Sequence, residues 1–275
     1  MNQGMHRRWF IRVMLGWTFF GLVQFLAGCT HVPAAKPFLV FDALLYRGKP
    51  DLSGFGLLPL KPVARFWAPG QSMDEVDEGG TLSEVAKLKE YSGMIFIDIE
   101  HWPVLGAPDK VAAQNIAKLA RVADIIRSAD PKRKFGYYGV LPERIYWPIV
   151  QHDEAVLRNW RKANQLTRKI AEHVDVIFPS LYTFYNDPKG WELYARAMLH
   201  EARQYGKPVY AFLWPEFETS DAVLRDTAMP AKFWRKQLEV CRELADGVVL
   251  WGGWQRDWDA NAVWWEGTQD FLKSL

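Results

Sequence analysis

The stretch that decides the fold reads MIFIDIEHWPVLGAPDKVAAQNIAKLARVADIIRSADPKRKFGYY and covers residues 94–138. It begins and ends with short apolar runs, MIFIDI and KFGYY, of the length that is typical of buried strands. Between them, residues 109–128 carry Ile116, Leu119 and Ile126 at helical spacing, so one face of a helix is apolar. A strand, a helix and a second strand in this order predict a parallel βαβ unit.

The same alternation continues on both sides of this unit. Strands are predicted at residues 38–45, 63–67, 94–99, 134–138, 174–182, 208–214 and 247–251. Helices are predicted at residues 82–91, 109–128, 154–173, 190–205, 231–245 and 262–275. Strands and helices in alternation predict an α/β fold, a single TIM-like β/α barrel of seven parallel strands over residues 38–275. An open, doubly wound sheet is the alternative, although no glycine-rich phosphate loop follows the first strand.

Composition and charge limit the classes of function. The chain has 275 residues, of which 49% are hydrophobic and 24% are charged, which is enough for a large buried core. The formal net charge is +2, and three arginines near the amino terminus account for it. Since the rest of the chain is nearly neutral, we expect no nucleic-acid partner. The motifs GxxxxGK[ST], HExxH, CxxC and GxSxG are absent from the sequence, and no metal or cofactor is expected.

Residues 1–28 have the pattern of a bacterial lipoprotein signal peptide. A basic start and an apolar stretch are followed by LAGC, which ends at Cys29 and resembles a lipobox. We expect cleavage before Cys29, lipid on that cysteine, and a tether over residues 29–37 that anchors an exported domain to the cell envelope. Thr30, and not Asp, in the second position favours the outer membrane. An ordinary signal peptide or an uncleaved anchor is the alternative.

Two carboxylates close the third predicted strand, where Asp98 and Glu100 are two residues apart. Alternation along a strand places both on one face, with Cα atoms about 6 to 7 Å apart. Two close carboxylates in a partly apolar pocket resist ionising together, so one pKa is expected to rise and to give a proton donor near neutral pH. A glycosidase acid has this requirement. The alternative is a solvated pair that caps a helix or pairs with arginines.

Aromatic side chains gather at the ends of the later predicted strands. The active site of an α/β barrel lies at the carboxyl ends of its strands, and there the sequence places Tyr138, Tyr182, Trp214, Trp251 and Trp254. Aromatic faces suit stacking against sugar rings, and tyrosine hydroxyls orient polar groups. Each residue alone is also compatible with core packing, but their shared position predicts a carbohydrate-binding cleft.

These motifs, in this order, resemble the hyaluronidase family of glycoside hydrolases, whose members fold as distorted barrels of seven strands. IDIEHW at residues 97–102 resembles the family's catalytic Asp-x-Glu strand, and GYYG at residues 136–139 resembles its tyrosine segment. PSLY at residues 179–182 and LWGGW at residues 250–254 resemble its Pro-Ser-x-Tyr and Trp-Gly-Ser segments. Ile99 stands where animal members carry Trp, which weakens the expectation of a polyanionic substrate.

The resemblance implies a role for each of these residues. Glu100 would act as the acid and then as the base, while Asp98 would orient the N-acetyl group of the substrate. The acetamido oxygen would itself attack the anomeric carbon, so the reaction would be retaining and substrate-assisted. Tyr138 and Tyr182 would donate hydrogen bonds near the acetamido group, and Trp251 would pack against its methyl group.

Three functions follow from these patterns. The first is a surface-tethered, monomeric glycosidase that hydrolyses a polysaccharide containing N-acetylhexosamine. The second is a retaining glycosidase in which Glu216 or Glu218 serves as the nucleophile opposite Glu100. The third is a glycan-binding envelope lipoprotein without catalytic activity.

Other polar residues are expected to have structural roles. His101 is expected to pack in a loop, and Cys241 has the spacing of a buried core thiol. Arg65 and Arg144 are candidates for a basic rim at the site. The basic residues 132–134 precede a strand, so we expect them at the opposite face of the barrel.

Overall fold

The structure is a computed structural model and describes residues 37–67, 70–218, 223–225 and 227–275. The predicted signal peptide and Cys29 lie outside these ranges, so the lipoprotein assignment stays a prediction. Within the described ranges, no helix has both the length and the apolar character that crossing a bilayer requires.

Within the described part of the chain, seven short strands form two parallel sheets. They are β1 (Leu39–Leu44), β2 (Leu58–Pro59), β3 (Lys61–Val63), β4 (Ile95–Ile97), β5 (Phe135–Tyr137), β6 (Tyr210–Leu213) and β7 (Gly247–Gly252). One sheet has the order β2-β1-β7-β6 and the other has the order β3-β4-β5. All pairings within these sheets are parallel, as expected for strands that are connected through helices.

Two connections join the sheets into a ring. β2 and β3 are separated only by Leu60, whose N–H donates to the Asp42 carbonyl at 2.9 Å, so one extended segment pairs with β1 and then with β4. On the other side, residues 177–180 form parallel bridges to Tyr138, just past β5, and to β6. The pairing thus returns to β1 after seven extended segments. The predicted seven-stranded barrel is confirmed, and the open, doubly wound sheet is wrong.

Helices follow most of the strands and cover the ring. They are α1 (Glu78–Ala86), α2 (Asp109–Ala129), α3 (Trp147–Val150), α4 (Glu154–Ala171), α5 (Pro188–Arg203), α6 (Ala231–Leu244) and α7 (Val263–Leu272). The carboxylates of Asp77, Asp153 and Asp187 cap α1, α4 and α5 by accepting backbone N–H groups of the first turn.

Several predicted elements differ from the structure. The strand that was expected at residues 63–67 lies earlier, in β2 and β3, where Pro59 and Pro62 obscure the strand pattern because proline lacks an N–H for the ladder. Residues 174–182 form only isolated bridges and no regular strand. The first helix begins four residues earlier than expected, because Asp77 caps it. The four-residue helix α3 has too few positions to give a periodic pattern.

Alternate residues of each strand face two different cores. Phe96, Phe212 and Val249 pack together in a cluster inside the ring. Their sequence neighbours, such as Ile97 and Leu250, belong to the larger core between the ring and the helices. Because side chains alternate along a strand, positions at steps of two beyond an inward residue also face the axis of the barrel. This period places the side chains at its mouth.

Candidate active site

The inward positions of the strands continue into a cleft at their carboxyl ends. Asp98 and Glu100 follow the inward residue Phe96 in steps of two, and all three line this cleft, whose volume is about 450 Å³. The described residues that line it are Phe96, Asp98, Glu100, Tyr138, Arg144, Tyr182, Phe212, Trp214, Glu216, Glu218, Trp251, Gly253, Trp254, Gln255 and Arg256. The structure therefore brings together every predicted site residue except Cys29, which lies outside the described ranges.

The two carboxylates have different surroundings. Asp98 is half-buried and Glu100 is exposed, while Ile99 between them is only 2% exposed. The Asp98 N–H donates to the Val63 carbonyl at 3.0 Å, which fixes its backbone at the end of β3. Burial raises the pKa of Asp98 to about 6, and the negative charge of Glu100 and a hydrogen bond with it also raise that pKa. The sequence predicted one raised pKa in this pair, and in the structure it belongs to Asp98.

Two buried tyrosines stand beside the carboxylates. The rings of Tyr138 and Tyr182 have centroids 5.6 Å apart, and the Tyr138 hydroxyl lies 3.2 Å from the Ser180 hydroxyl in a hydrogen bond. Burial raises the pKa of both tyrosines well above the ordinary value. Both hydroxyls therefore stay protonated at neutral pH and can donate hydrogen bonds to a ligand.

The predicted tryptophans form a wall of the cleft. Trp251 stacks on Tyr182, with centroids 5.6 Å apart and planes inclined by 26°. Trp214 meets Trp251 edge-on, with centroids 4.8 Å apart and planes at 90°. Trp254 lies at the mouth, where 60% of its surface is exposed. An apolar wall next to an acid pair suits a sugar ring that carries an apolar substituent.

Of the two alternative nucleophiles, Glu216 is only 4% exposed and Glu218 is half-buried. Glu216 accepts a hydrogen bond of 2.5 Å from the Tyr46 hydroxyl and forms an ion pair of 3.3 Å with Arg256. Sequence reasoning missed Tyr46 and Arg256. Tyr46 comes two residues after β1, so the strand-end rule that found Tyr138 could have found it too. Arg256 lies in the loop beyond β7, where no pattern marks it.

The basic candidates divide between the cleft and other surfaces. Arg144 lines the cleft, where its guanidinium lies 4.4 Å from the centre of the Phe184 ring. It also lines a smaller hollow of about 170 Å³ beyond Glu100. Arg65 lines a different hollow. Lys134 pairs with Asp175 at 2.8 Å just before β5, at the end of the barrel opposite the cleft, as predicted.

The remaining candidates are structural. His101 is exposed and packs against Trp67, with ring centroids 4.7 Å apart, as expected for loop packing. Cys241 is a buried free thiol in α6, and burial raises its pKa. In the part of the chain that the structure describes, no group of three or more His, Cys, Asp or Glu side chains is placed to hold a metal ion.

Comparisons with known proteins bear on the fold. Neither the protein-family models nor the curated proteins contain a match to this chain. Among solved structures, bee venom hyaluronidase superposes with a TM-score of 0.60 at 14% identity, over 86% of this chain and 97% of that chain. The same enzyme in complex with a hyaluronic acid tetramer gives a TM-score of 0.59 at 15% identity, over 86% and 96%. The chain thus shares its barrel fold with this enzyme, and its function has to be argued from the cleft.

Proposed function

We propose that this chain is a glycosidase that hydrolyses a polysaccharide containing N-acetylhexosamine. The observation that carries the proposal is the Asp98–Glu100 pair, in which one carboxyl group has a raised pKa at the mouth of the barrel. Two protonated tyrosines and a tryptophan wall stand beside it. Holding two carboxylates together is unfavourable and serves no purpose in glycan binding alone, whereas proton transfer needs such a pair.

Glu100 and Asp98 have separate roles in a retaining, substrate-assisted reaction. Glu100 is exposed and donates a proton to the glycosidic oxygen as the bond to the anomeric carbon breaks. The acetamido oxygen attacks that carbon and closes a ring, while Asp98 accepts the amide N–H and stabilises the developing positive charge. Glu100 then takes a proton from the water that opens the ring. Two displacements at one carbon retain its configuration.

The apolar wall and the tyrosines hold the acetamido group for this attack. Trp251 offers a flat apolar surface to the methyl group, and Tyr182, stacked on it, supplies a protonated hydroxyl. Tyr138 supplies a second hydroxyl next to Ser180. Because the nucleophile belongs to the substrate, the carboxylates of one strand are sufficient for the chemistry.

Within this substrate class, the charges of the cleft favour a glycan without carboxylates or sulfates. Among the residues that the structure describes, four carboxylates and two guanidiniums line the cleft, and the guanidinium of Arg256 forms an ion pair with Glu216. A polyanion would meet more negative than positive charge there, and like charges that face each other across an interface oppose binding. A neutral N-acetylhexosamine polymer is therefore the better substrate.

We also propose that residues 38–275 are a glycoside-hydrolase domain that lipid on Cys29 tethers to the outer membrane, as a monomer. β1 begins at Leu39, at the end of the ring opposite the cleft. A tether that ends at residue 37 therefore attaches away from the cleft. Full-length protein should partition with membranes, and Cys29→Ser should be recovered without lipid. Equal lipid labelling of the two proteins would overturn this part of the proposal.

The glycosidase is tested by measuring the release of reducing ends from N-acetylglucosamine oligomers, peptidoglycan, chondroitin and hyaluronan. Glu100→Gln keeps the shape of the side chain and removes its proton, so turnover should fall by about 10² to 10⁴. Glu239→Gln makes the same change on the exposed side of α6 and should keep full activity. Wild type and Glu100→Gln that bind a glycan equally and release nothing would instead identify a glycan-binding lipoprotein.

A further inference from the structure

Glu216 joins three loops at one side of the cleft. Its Oε1 accepts a hydrogen bond of 2.5 Å from the hydroxyl of Tyr46, which follows β1. The same oxygen lies 3.3 Å from Nη1 of Arg256, which follows β7. Its Oε2 accepts a hydrogen bond from the indole N–H of Trp214, which follows β6. Both carboxylate oxygens are engaged, and only 6% of the side chain is exposed.

Two glycines allow these loops to close around Glu216. A Cβ on Gly252 would lie 2.7 Å from Cδ1 of Trp214 and 3.1 Å from Oε2 of Glu216. A Cβ on Gly253 would lie 2.3 Å from the Tyr46 ring, and the φ of Gly253 is +78°. Positive φ and close approach both require glycine. Glycine at these two positions therefore allows the backbone at the end of β7 to approach Tyr46 and Trp214 closely.

Trp214 connects Glu216 to the tryptophan wall of the cleft. Its ring stands edge-on to Trp251, with centroids 4.8 Å apart, and 5.3 Å from the centroid of Tyr182. Trp251 and Tyr182 stack on each other and form the surface that faces the substrate. An indole has one N–H donor, so the bond to Glu216 selects one orientation of Trp214.

We propose that Glu216 is a positioning residue that fixes the Trp214 indole and thereby holds the Trp251–Tyr182 surface in place. This inference rests on the proposed glycosidase, since that surface orients the acetamido group for attack. It also assigns Glu216 a role other than nucleophile. A nucleophile must direct an oxygen lone pair at the anomeric carbon from about 3 to 3.5 Å, whereas the oxygens of Glu216 are directed at Tyr46, Arg256 and Trp214.

Kinetics of a double-mutant cycle test the link between Glu216 and Trp214. In Glu216→Gln one of the two oxygens becomes an NH₂ group that cannot accept, so the donors of Tyr46, Arg256 and Trp214 compete for one oxygen. Trp214 is then held less firmly, and kcat should fall by up to about a hundredfold. KM should change by less than about threefold, since most of the cleft is intact. Trp214→Phe removes the N–H that Glu216 holds. The double variant should therefore be no slower than Trp214→Phe alone, and multiplied effects would overturn the proposal.

Two further variants distinguish a specific effect on catalysis from a loss of folding. Asp175→Asn is the matched control, because Asp175 also accepts from several partners, including Lys134, but lies at the opposite end of the barrel. It should lower stability and leave kcat per folded molecule unchanged. Tyr46→Phe removes one donor to Glu216 and leaves the bond to Trp214, so it should give a smaller fall in kcat. An unchanged kcat in both Glu216→Gln and Tyr46→Phe would contradict the proposal.

Azide separates positioning from nucleophilic catalysis. If Glu216 were the nucleophile, azide would restore turnover to Glu216→Ala and yield a glycosyl azide of inverted configuration, which would refute the positioning role.

Near-UV circular dichroism gives a readout that does not depend on turnover. Trp214 is one of 14 tryptophans, and its contribution to the wild-type signal should decrease in Glu216→Gln as it does in Trp214→Phe. A wild type without turnover refutes the proposed function, and an unchanged tryptophan signal in Glu216→Gln refutes the positioning role.

Discussion

Asp98 lies two residues before Glu100 at the mouth of the barrel, where burial and the charge of Glu100 raise the pKa of Asp98. Burial of Asp98 is the main cause, and together with the charge of Glu100 it raises this pKa to about 6. Below that pH the Asp98 carboxyl holds a proton, and above it the Asp98 carboxylate is repelled by the charge of Glu100. In mildly acidic solution the carboxyl pair therefore carries the proton that the glycosidic oxygen needs.

The first prediction concerns the dependence of activity on pH. Since the acid step needs the proton that the pair holds, kcat/KM should fall by about tenfold for each pH unit above about 6. A profile of kcat/KM between pH 4 and pH 9 on an N-acetylglucosamine oligomer measures this fall. Circular dichroism over the same range serves as the control for unfolding. A rate that is constant from pH 6 to pH 8 would contradict the assignment of the pair.

The second prediction concerns stability. The folded state raises the pKa of Asp98 from 3.8 to about 6, so ionising this group opposes folding. The cost is absent below about pH 3.8, grows between the two values and is complete above about pH 6. Asp98→Asn has no charge to bury, so its free energy of unfolding should exceed that of the wild type at pH 7.5 by up to about 3 kcal/mol.

Urea unfolding at pH 7.5 and at pH 4 measures this difference. The advantage of Asp98→Asn should shrink at pH 4, where the wild-type carboxyl is mostly protonated. Glycosidase activity of Asp98→Asn should fall at pH 7.5, because a neutral amide accepts the acetamido N–H less strongly than a carboxylate does. A variant that is less stable than the wild type at pH 7.5 would show that Asp98 contributes structural contacts that outweigh its burial.

The acid pair could be predicted from the sequence because a strand has a fixed period. Phe96, Asp98 and Glu100 are at steps of two, and all three line the cleft. The same period places Trp251, near the end of β7, and Gly253, just past it, at the cleft. Local patterns of this kind survive into the fold because the buried side of a strand admits only one register.

The surroundings of Glu216 could not be predicted from the sequence. The hydrogen bond from Tyr46 to Glu216 joins residues 170 positions apart, and only the closure of the ring brings them together. The segment of β2 and β3 was also misplaced, because Pro59 and Pro62 interrupt the pattern of a strand. Contacts that depend on closure leave no local period, so they become visible only in the structure.

The third prediction concerns the charge of the substrate. With four carboxylates and two guanidiniums in the cleft, kcat/KM should be at least about tenfold higher for a neutral N-acetylglucosamine oligomer than for hyaluronan of equal length. Glu218→Gln removes one of these carboxylates and keeps the shape of the side chain. It should narrow the difference between the two substrates at low salt, where charges are least screened. Faster turnover of hyaluronan by the wild type would overturn the preference.

The fourth prediction concerns Trp254, which is 60% exposed at the mouth of the cleft. Stacking of an exposed aromatic face on a sugar contributes about 1 kcal/mol to the binding free energy. Trp254→Ala should therefore raise KM for long oligomers by about fivefold. Its kcat and its melting temperature should match the wild type, because the side chain lies away from the acid pair and buries little surface. Trp147→Ala is the matched control, since Trp147 is also exposed, at 46%, but does not line the cleft. Equal KM values for both variants and the wild type would show that glycans do not cross the mouth at Trp254.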